Sequence, residues 1–290
     1  MNKLGISIII PCYKAGQMLL QAALSITSQN ITHDYEIIII DDASPDKETK
    51  EILGCLENDY NISIIKLTKN FGVQNARNIG ISIAMYKYIF MMDADDMLNT
   101  NKDIIDKYSY MDRAISVLDR SPDIAFVHSS SLMVGKKNEL RNLFALTEKL
   151  IIQKHRVAIG LVYRKSDVTR ESPYSKSIEK WQDWSFVIGL MNHRKLLNKE
   201  NNIFYFEEPY YLYRIHDSPD RISTKKICEK EMIKRTLDLY PEIFKTNFPN
   251  KSHNEIINFL LISSQDIRGF KPQACLDCNA PNSYCTRKPA

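Results

Sequence analysis

The stretch YIFMMDADDML, residues 88–98, runs an apolar segment into Asp93, Asp95 and Asp96, three carboxylates in four positions. Like charges that close repel and resist joint ionisation. A divalent cation resolves the conflict. Mg²⁺ and Mn²⁺ prefer oxygen ligands, and Mg²⁺ commonly combines one or two carboxylates with substrate phosphates. More carboxylates follow apolar runs elsewhere: Asp41 and Asp42 close YEIIIIDD, and Asp183 lies in EKWQDWSF. Each has a plainer reading. Asp-Asp after a strand is often a helix N-cap, as Asp183 could be, and Arg77 in NARNIGI could be a surface helical arginine. What decides between the readings is where the surrounding elements put these side chains.

Short β-branched runs at 5–11, 35–41, 62–67 and 88–93 read as strands buried on both faces. Between them, 16–29, 44–59 and 73–86 carry helical spacing, with Ser44 expected as an N-cap and Pro45 as the first residue of its helix. Alternation of this kind means βαβ units and a parallel sheet with right-handed crossovers. After residue 100 a helix is expected over 101–119, strands over 123–134 and 156–165, a helix over 183–197, and an extended aromatic segment over 202–216 that Pro209 should break or hold at an edge. In an open parallel sheet, ligands bind outside the carboxyl ends of the strands. Asp41, Asp42, Asp93, Asp95 and Asp96 therefore converge on one rim.

A length of 290 residues suits one large domain or a domain with an appendage. With 44% hydrophobic and 26% charged residues the composition is that of a globular protein, and a net charge of +4 argues against a nucleic-acid partner. The lysine-rich stretch 225–251 reads as a solvated helical face, with contact to an anionic membrane surface as the sharper alternative. No apolar run approaches the roughly 20 residues of a membrane span, and scattered Cys12, Cys55 and Cys228 suit a reducing compartment, so a cytoplasmic protein is expected, at most peripheral at the inner face of the membrane. Cys275, Cys278 and Cys285 lack a fourth ligand at zinc-site spacing and are read as an incidental tail.

The motifs SIIIPCYKAG, IIIIDDASPD, NFGVQNARNIGI and FMMDADDML, followed by EKWQDWSF and YLYRIHDSPDRIS, occur in one order over about residues 4–224. In order and spacing they resemble family 2 glycosyltransferases. The resemblance implies a GT-A fold: an α/β domain over 1–224, with a nucleotide-sugar half at about 1–100 and an acceptor half at about 101–224, followed by a helical extension over 225–290. It implies that Pro11 and Tyr13 line the nucleotide base, that Asp42 accepts from the base with Asp41 nearby, and that Asn70 and Arg77 lie near base and phosphates. Asp93 would serve ribose and metal. Asp95 or Asp96 would hold Mn²⁺ or Mg²⁺, and Arg214 and His216 would close over metal and diphosphate. Asp183 would be the catalytic base.

The chain departs from the family pattern at Lys14 where Asn is usual, at Ala43 where Gly is commoner, and at Gln182 where an acidic residue is common. No Gln-x-x-Arg-Trp motif follows residue 183, which favours single-sugar transfer over polymer extrusion. The expected activity is inverting transfer from a nucleoside-diphosphate sugar, UDP-linked by preference, to a hydroxyl of a glycan or lipid-linked acceptor. The alternative is an impaired nucleotide-sugar-binding or scaffold protein of the same fold. A dinucleotide-dependent oxidoreductase would show Gly-x-Gly-x-x-Gly after the first strand, where this chain has PCYKAG.

Overall fold

A computed structural model describes residues 3–103, 109–136, 139–141, 145–154, 160–169, 173–216 and 227–265. The first half is a regular alternation. β1 (Lys3–Cys12), α1 (Gln17–Thr27), β2 (Tyr35–Asp41), α2 (Lys47–Leu56), β3 (Ile62–Lys66), α3 (Val73–Ile83) and β4 (Tyr86–Met91) follow one another. β1 pairs in parallel with β2 and with β4, and β2 with β3. Ile6, Ile8, Ile9 and Ile10 of β1 are all fully buried, as expected of a central strand covered on both faces.

The second half turns the sheet mixed. β5 (Met97–Leu98), α4 (Tyr110–Arg120), β6 (Ile124–Gly135), β7 (Glu139–Arg141), α5 (Glu148–Lys154), β8 (Val162–Arg164), α6 (Gln182–Leu196) and β9 (Asn202–Ile215) follow. β8 joins β4 and β6 antiparallel, β9 lies parallel to β6, and β5 pairs antiparallel with β9. The strand order is β3-β2-β1-β4-β8-β6-β9-β5, with β7 on β6. Ser129 faces Phe206 but Ser131 faces Tyr211, so β9 bulges across Pro209. That bulge is the break expected from a residue with no amide donor.

Two apolar layers cover the sheet. One face packs Ile8, Ile10, Ile37, Tyr88 and Phe90 against α1, α2 and α4. The other packs Ile9, Ile40, Ile89, Tyr163, Trp184 and Phe186 with residues of three more helices, α7 (Glu229–Leu239), α8 (Pro241–Asn247) and α9 (His253–Gln265). α3 lies hard on β1, because a Cβ at Gly80 would meet Ile9 Cγ2 at 2.3 Å. That close approach sets the depth of Arg77, one turn earlier on the same helix.

Several boundaries moved from expectation. α2 begins at Lys47 with Asp46 as its cap, accepting from Thr49 N at 2.8 Å. Ser44 cannot cap it: its Oγ accepts from Lys14 N, and its own N–H donates to Asp41 Oδ1. The strand expected over 156–165 is described only as Val162–Arg164, residues 155–159 lying outside the described set. The helix expected from 101 is described from Tyr110, where Ser109 caps Asp112 N at 3.1 Å; residues 104–108 lie outside. The cysteine tail and residues 217–226 also lie outside. Lys234 and Lys245 pair with Asp238 and Glu242 a turn away, the arrangement of a solvated face. Among the described residues no helix is long and apolar enough to cross a membrane.

α6 carries Asp183 at one end and Arg194 at the other. Arg194 is fully buried and pairs with Asp167, which also accepts from Lys199 Nζ at 2.8 Å and Arg164 Nη1 at 3.3 Å. Removing one partner of a buried ion pair strands the other. Asp167→Ala should therefore cost about 3–5 kcal/mol of folding free energy, measured by urea denaturation. A loss no larger than that of an exposed pair would show that the network does not anchor α6.

Candidate functional site

The site lies where β1, β2 and β4 end. Pro11 is buried in β1, paired opposite Ile40, and Tyr13 beyond it is exposed, with the Lys14 ammonium 5.2 Å from its ring centre. Three non-glycine residues here hold a left-handed backbone: Lys14 at φ 52°, Ala43 at φ 59° and Trp181 at φ 60°. Asn and Gly tolerate that region better than Lys and Ala. The two departures from the family pattern at positions 14 and 43 therefore fall where the backbone strains an ordinary side chain. Such strain clusters at functional sites. At Trp181 it begins α6 and sets Gln182 and Asp183 on the rim.

Asp41 and Asp42 are neighbours with different partners. Asp42 is buried, and its two oxygens accept from the backbone N–H groups of Phe71 at 2.7 Å and Gly72 at 2.8 Å. It ties the loop after β3 to the end of β2. Asn70 is exposed there, its Oδ1 accepting from Gly72 N at 3.1 Å. Asp41 Oδ1 accepts from Ser44 N, and the residue lines a hollow with Ala43, Ser44, Lys50, Lys66 and Leu67.

Arg77 links the two halves. Its guanidinium is buried, donating from Nη2 to Asp93 Oδ1 at 2.8 Å and from Nη1 to Asp183 Oδ1 at 3.0 Å, with Gln182 Oε1 at 3.3 Å. The Asp93 and Asp183 side chains are each 41% exposed against 6% for Arg77, so the carboxylates face the opening and the cation lies behind them. Gln182 makes a neutral third contact, leaving two carboxylates to balance one guanidinium. Burial disfavours the Arg77 charge, but Asp183 and then Asp93 outweigh it and hold the guanidinium firmly protonated. Burial raises the Asp183 pKa from its ordinary value; Arg77 opposes the shift and Asp93 adds to it.

Asp93, Asp95 and Asp96 place carboxylate oxygens within 4.8 Å of one another, the one such acidic or metal-ligating group among the described residues. An all-oxygen set fits a hard divalent cation. The three differ in what is left to offer. Asp96 is buried, and its oxygens accept from Tyr211 Oη at 2.7 Å and Arg214 N at 2.8 Å. Burial, then Asp95 and Asp93, push its pKa well up, against those two donors. Asp95 is more open, with His216 Nε2 2.8 Å from Oδ2. Arg214 donates to Asp95 O at 2.8 Å and to Gln21 Oε1 at 2.6 Å, which holds the end of β9 over the cluster.

The tertiary structure thus brings Arg77, Asp93, Asp95, Asp96, Asp183, Arg214 and His216 together, with Pro11, Tyr13, Asp41, Asp42 and Asn70 along the same strand ends. It adds residues that sequence reasoning passed over. Tyr211 buries Asp96. Tyr174 lies 5.0 Å from the Arg77 guanidinium and exchanges two backbone bonds with the Asn78 side chain. Both tyrosines stood in segments read as extended or irregular, and nothing in their spacing set them apart.

Residues 7–124 match the model of the family described as glycosyl transferase family 2. It is 29% identical over 219 residues, 73% of this chain, to the teichoic acid poly(glycerol phosphate) polymerase of Staphylococcus epidermidis. It spans only 28% of that protein's length. It is 24% identical to the poly(ribitol-phosphate) β-N-acetylglucosaminyltransferase TarP of Staphylococcus aureus, covering 83% of this chain and 72% of TarP. Its fold is similar to that of S. aureus TarS residues 1–349 solved with UDP-GlcNAc, at a TM-score of 0.67 and 16% identity over 89% of this chain and 70% of that one. The architecture is the GT-A fold: a mixed sheet flanked by helices, with further helices at the C-terminal end.

The Asp42 contacts make a checkable statement. Asp42→Ala leaves two loop amides without their charged acceptor, so it should lower stability by about 1.5–3 kcal/mol in chemical denaturation. An unchanged midpoint would show that water replaces the carboxylate at no cost.

Proposed function

We propose that the chain is an inverting, nonprocessive glycosyltransferase that moves one sugar from a UDP-sugar to a hydroxyl of a glycan or lipid-linked acceptor in cell-surface polysaccharide assembly. The observation that carries this reading is the buried Arg77 holding Asp93 and Asp183 at one opening, beside the carboxylate cluster. TarS bound to UDP-GlcNAc supports the donor class, and the names of TarP and the polymerase support a cell-surface polymer as the product. We place the reaction in the cytoplasm, with any membrane contact peripheral.

In this reading the uracil lies between Pro11 and Tyr13. Asp42, the expected acceptor of the base N–H, spends both oxygens on the Phe71 and Gly72 amides, so this reading gives the base N–H to Asp41 beside the adjoining hollow and leaves Asp42 to hold the Asn70–Gly72 loop. Asp95, with Asp93 and His216, would hold Mn²⁺ or Mg²⁺. Asp96, whose oxygens are already engaged, would orient the Tyr211 and Arg214 side of the cluster. A cation there stabilises the negative charge that grows on the leaving diphosphate. Arg214 lies next to that charge.

The acceptor hydroxyl attacks the anomeric carbon from the Asp183 side. Its oxygen forms the new bond to C1 as the C1–O bond to the diphosphate breaks and its electron pair leaves with UDP. Asp183 takes the hydroxyl proton. One displacement inverts the centre. Arg77 keeps Asp183 aimed while the crowded surroundings keep it basic.

Two experiments test this. Calorimetry should show UDP binding in Mn²⁺ or Mg²⁺ that a chelator abolishes and that Asp95→Asn weakens; equal affinity with and without the metal would remove the cation from the reading. Trp181, not Asp183, caps α6, and Asp183→Asn keeps the size and an oxygen for Arg77 Nη1 but cannot accept a proton. It should stay folded, at a melting temperature lowered by the weaker bond to Arg77, and bind UDP while losing about 10²–10⁴ in kcat. Because the Asp183 pKa is raised, protons return to it at a higher pH than to an ordinary aspartate, so the parent activity should fall as pH is lowered, and earlier than an unshifted carboxylate would give. A scaffold protein would bind UDP and release no diphosphate from any donor.

A further inference from the structure

Among the described residues the well-exposed aromatic rings are Tyr13, Tyr60 and Phe71. Tyr60 precedes β3, at the far end of the sheet, but Tyr13 and Phe71 follow β1 and β3 on the site rim, 38% and 43% exposed. Hydrogen bonds stitch their loops together. Asp42 N donates to Cys12 O at 2.8 Å, Lys14 N donates to Ser44 Oγ at 3.0 Å, and the Phe71 and Gly72 amides donate to the Asp42 carboxylate. The Asp42 main chain thus meets β1 one residue before Tyr13, and its side chain meets Phe71 itself. The Phe71 ring belongs to neither apolar layer. Its main-chain N–H, not its side chain, is what Asp42 holds.

β1 and β3 both pair with β2, so the strands that carry the two loops lie about 10 Å apart at neighbouring-strand spacing. A planar ring in carbon contact on both faces needs walls about 7–8 Å apart. Each exposed ring also carries an ammonium: Lys14 Nζ is 5.2 Å from the Tyr13 centre and Lys69 Nζ is 5.0 Å from the Phe71 centre. A cation–π pair in water is weaker than stacking of a base on an aromatic ring, so a base can displace either ammonium. A ligand suited to such a rim combines a flat ring with negative charge. A nucleoside diphosphate has both.

We infer that Phe71 is a nucleoside-binding residue whose ring closes over the base from the side opposite Tyr13, an assignment that rests on the glycosyltransferase reading of the same rim and deepens it. That reading gives the base one aromatic wall, and Phe71 supplies the second. Asp41 meets the edge of the base and Phe71 its face. Stacking makes no demand on hydrogen-bond pattern, so Phe71 contributes affinity and leaves the choice of base to the edge contacts.

The test uses the full chain, with UDP binding followed by calorimetry and donor turnover by UDP release from a panel of UDP-sugars. Phe71→Ala should weaken UDP binding about 10- to 100-fold. It should raise the donor KM by a similar factor and leave kcat near that of the parent, the signature of lost uniform binding. Phe71→Tyr keeps the ring and should hold UDP affinity near the parent value. Phe71→Leu keeps apolar bulk without a flat face and should behave like Phe71→Ala. The melting temperature should hold in all three, because the loop is tied through its main-chain N–H groups. Unchanged UDP affinity in Phe71→Ala, a fall in kcat with KM unchanged, or a Phe71→Leu variant that binds UDP as well as Phe71→Tyr would each overturn the inference while leaving the transferase reading intact. A parent protein that binds no UDP and turns over no donor would overturn both.

Discussion

One buried guanidinium organises this protein. Arg77 is the cation to which Asp93, from the first half of the chain, and Asp183, from the second, are both tied. Without a positive charge between them, two carboxylates at one opening would repel and one would take up a proton. With it, both stay close and face outward. The same contact explains why the second half docks where it does. α3 side chains also reach across, Gln74 to Ile178 O at 2.8 Å and Asn78 to the Tyr174 backbone. The seam between the halves is thus polar and aimed, where the cores on either face of the sheet are apolar and non-directional.

The cost of burying Arg77 is offset elsewhere. Gly80 lets α3 settle onto Ile9, which fixes how deep the guanidinium lies. Arg194 and Asp167 anchor the far end of α6, so that its first turn, and Asp183 with it, cannot drift. Left-handed residues at 14, 43 and 181 store backbone strain on the rim. Such strain persists only where the surroundings over-determine the backbone. Around Ala43 those surroundings are visible as the Ser44 bonds to Lys14 and Asp41.

The carboxylate cluster follows the same logic of division of labour. Its three members are chemically alike in sequence, but their partners separate them. Asp93 answers Arg77, Asp96 is enclosed by Tyr211 and the Arg214 amide, and Asp95 stands beside His216. One carboxylate is thus committed to shape, one to charge balance, and one to the His216 ring. Asp41 and Asp42 divide in the same way, one bound to loop amides and the other lining a hollow.

The strand–helix rhythm of the first hundred residues was legible in the sequence, because a buried parallel strand must be apolar on both faces and leaves an unmistakable run. β2 fell at Tyr35–Asp41, as its apolar run implied. The placing of carboxylates at strand ends was legible too, since chain order alone puts them on one rim. α2 was misplaced because Ser44 and Pro45 look like a helix start by local chemistry, and only the long-range bond from Lys14 shows that Ser44 is engaged elsewhere. The second half was harder to read: short strands such as β8 carry three residues and no period, and their pairing with β4 and β6 is set by contacts distant in sequence. Residue types and their order thus determined the class of chemistry by themselves. Which carboxylate meets which partner, and that the Phe71 loop folds back onto Asp42, was decided by the tertiary structure alone, because hydrogen-bond occupancy and burial are properties of neighbours that no local spacing encodes.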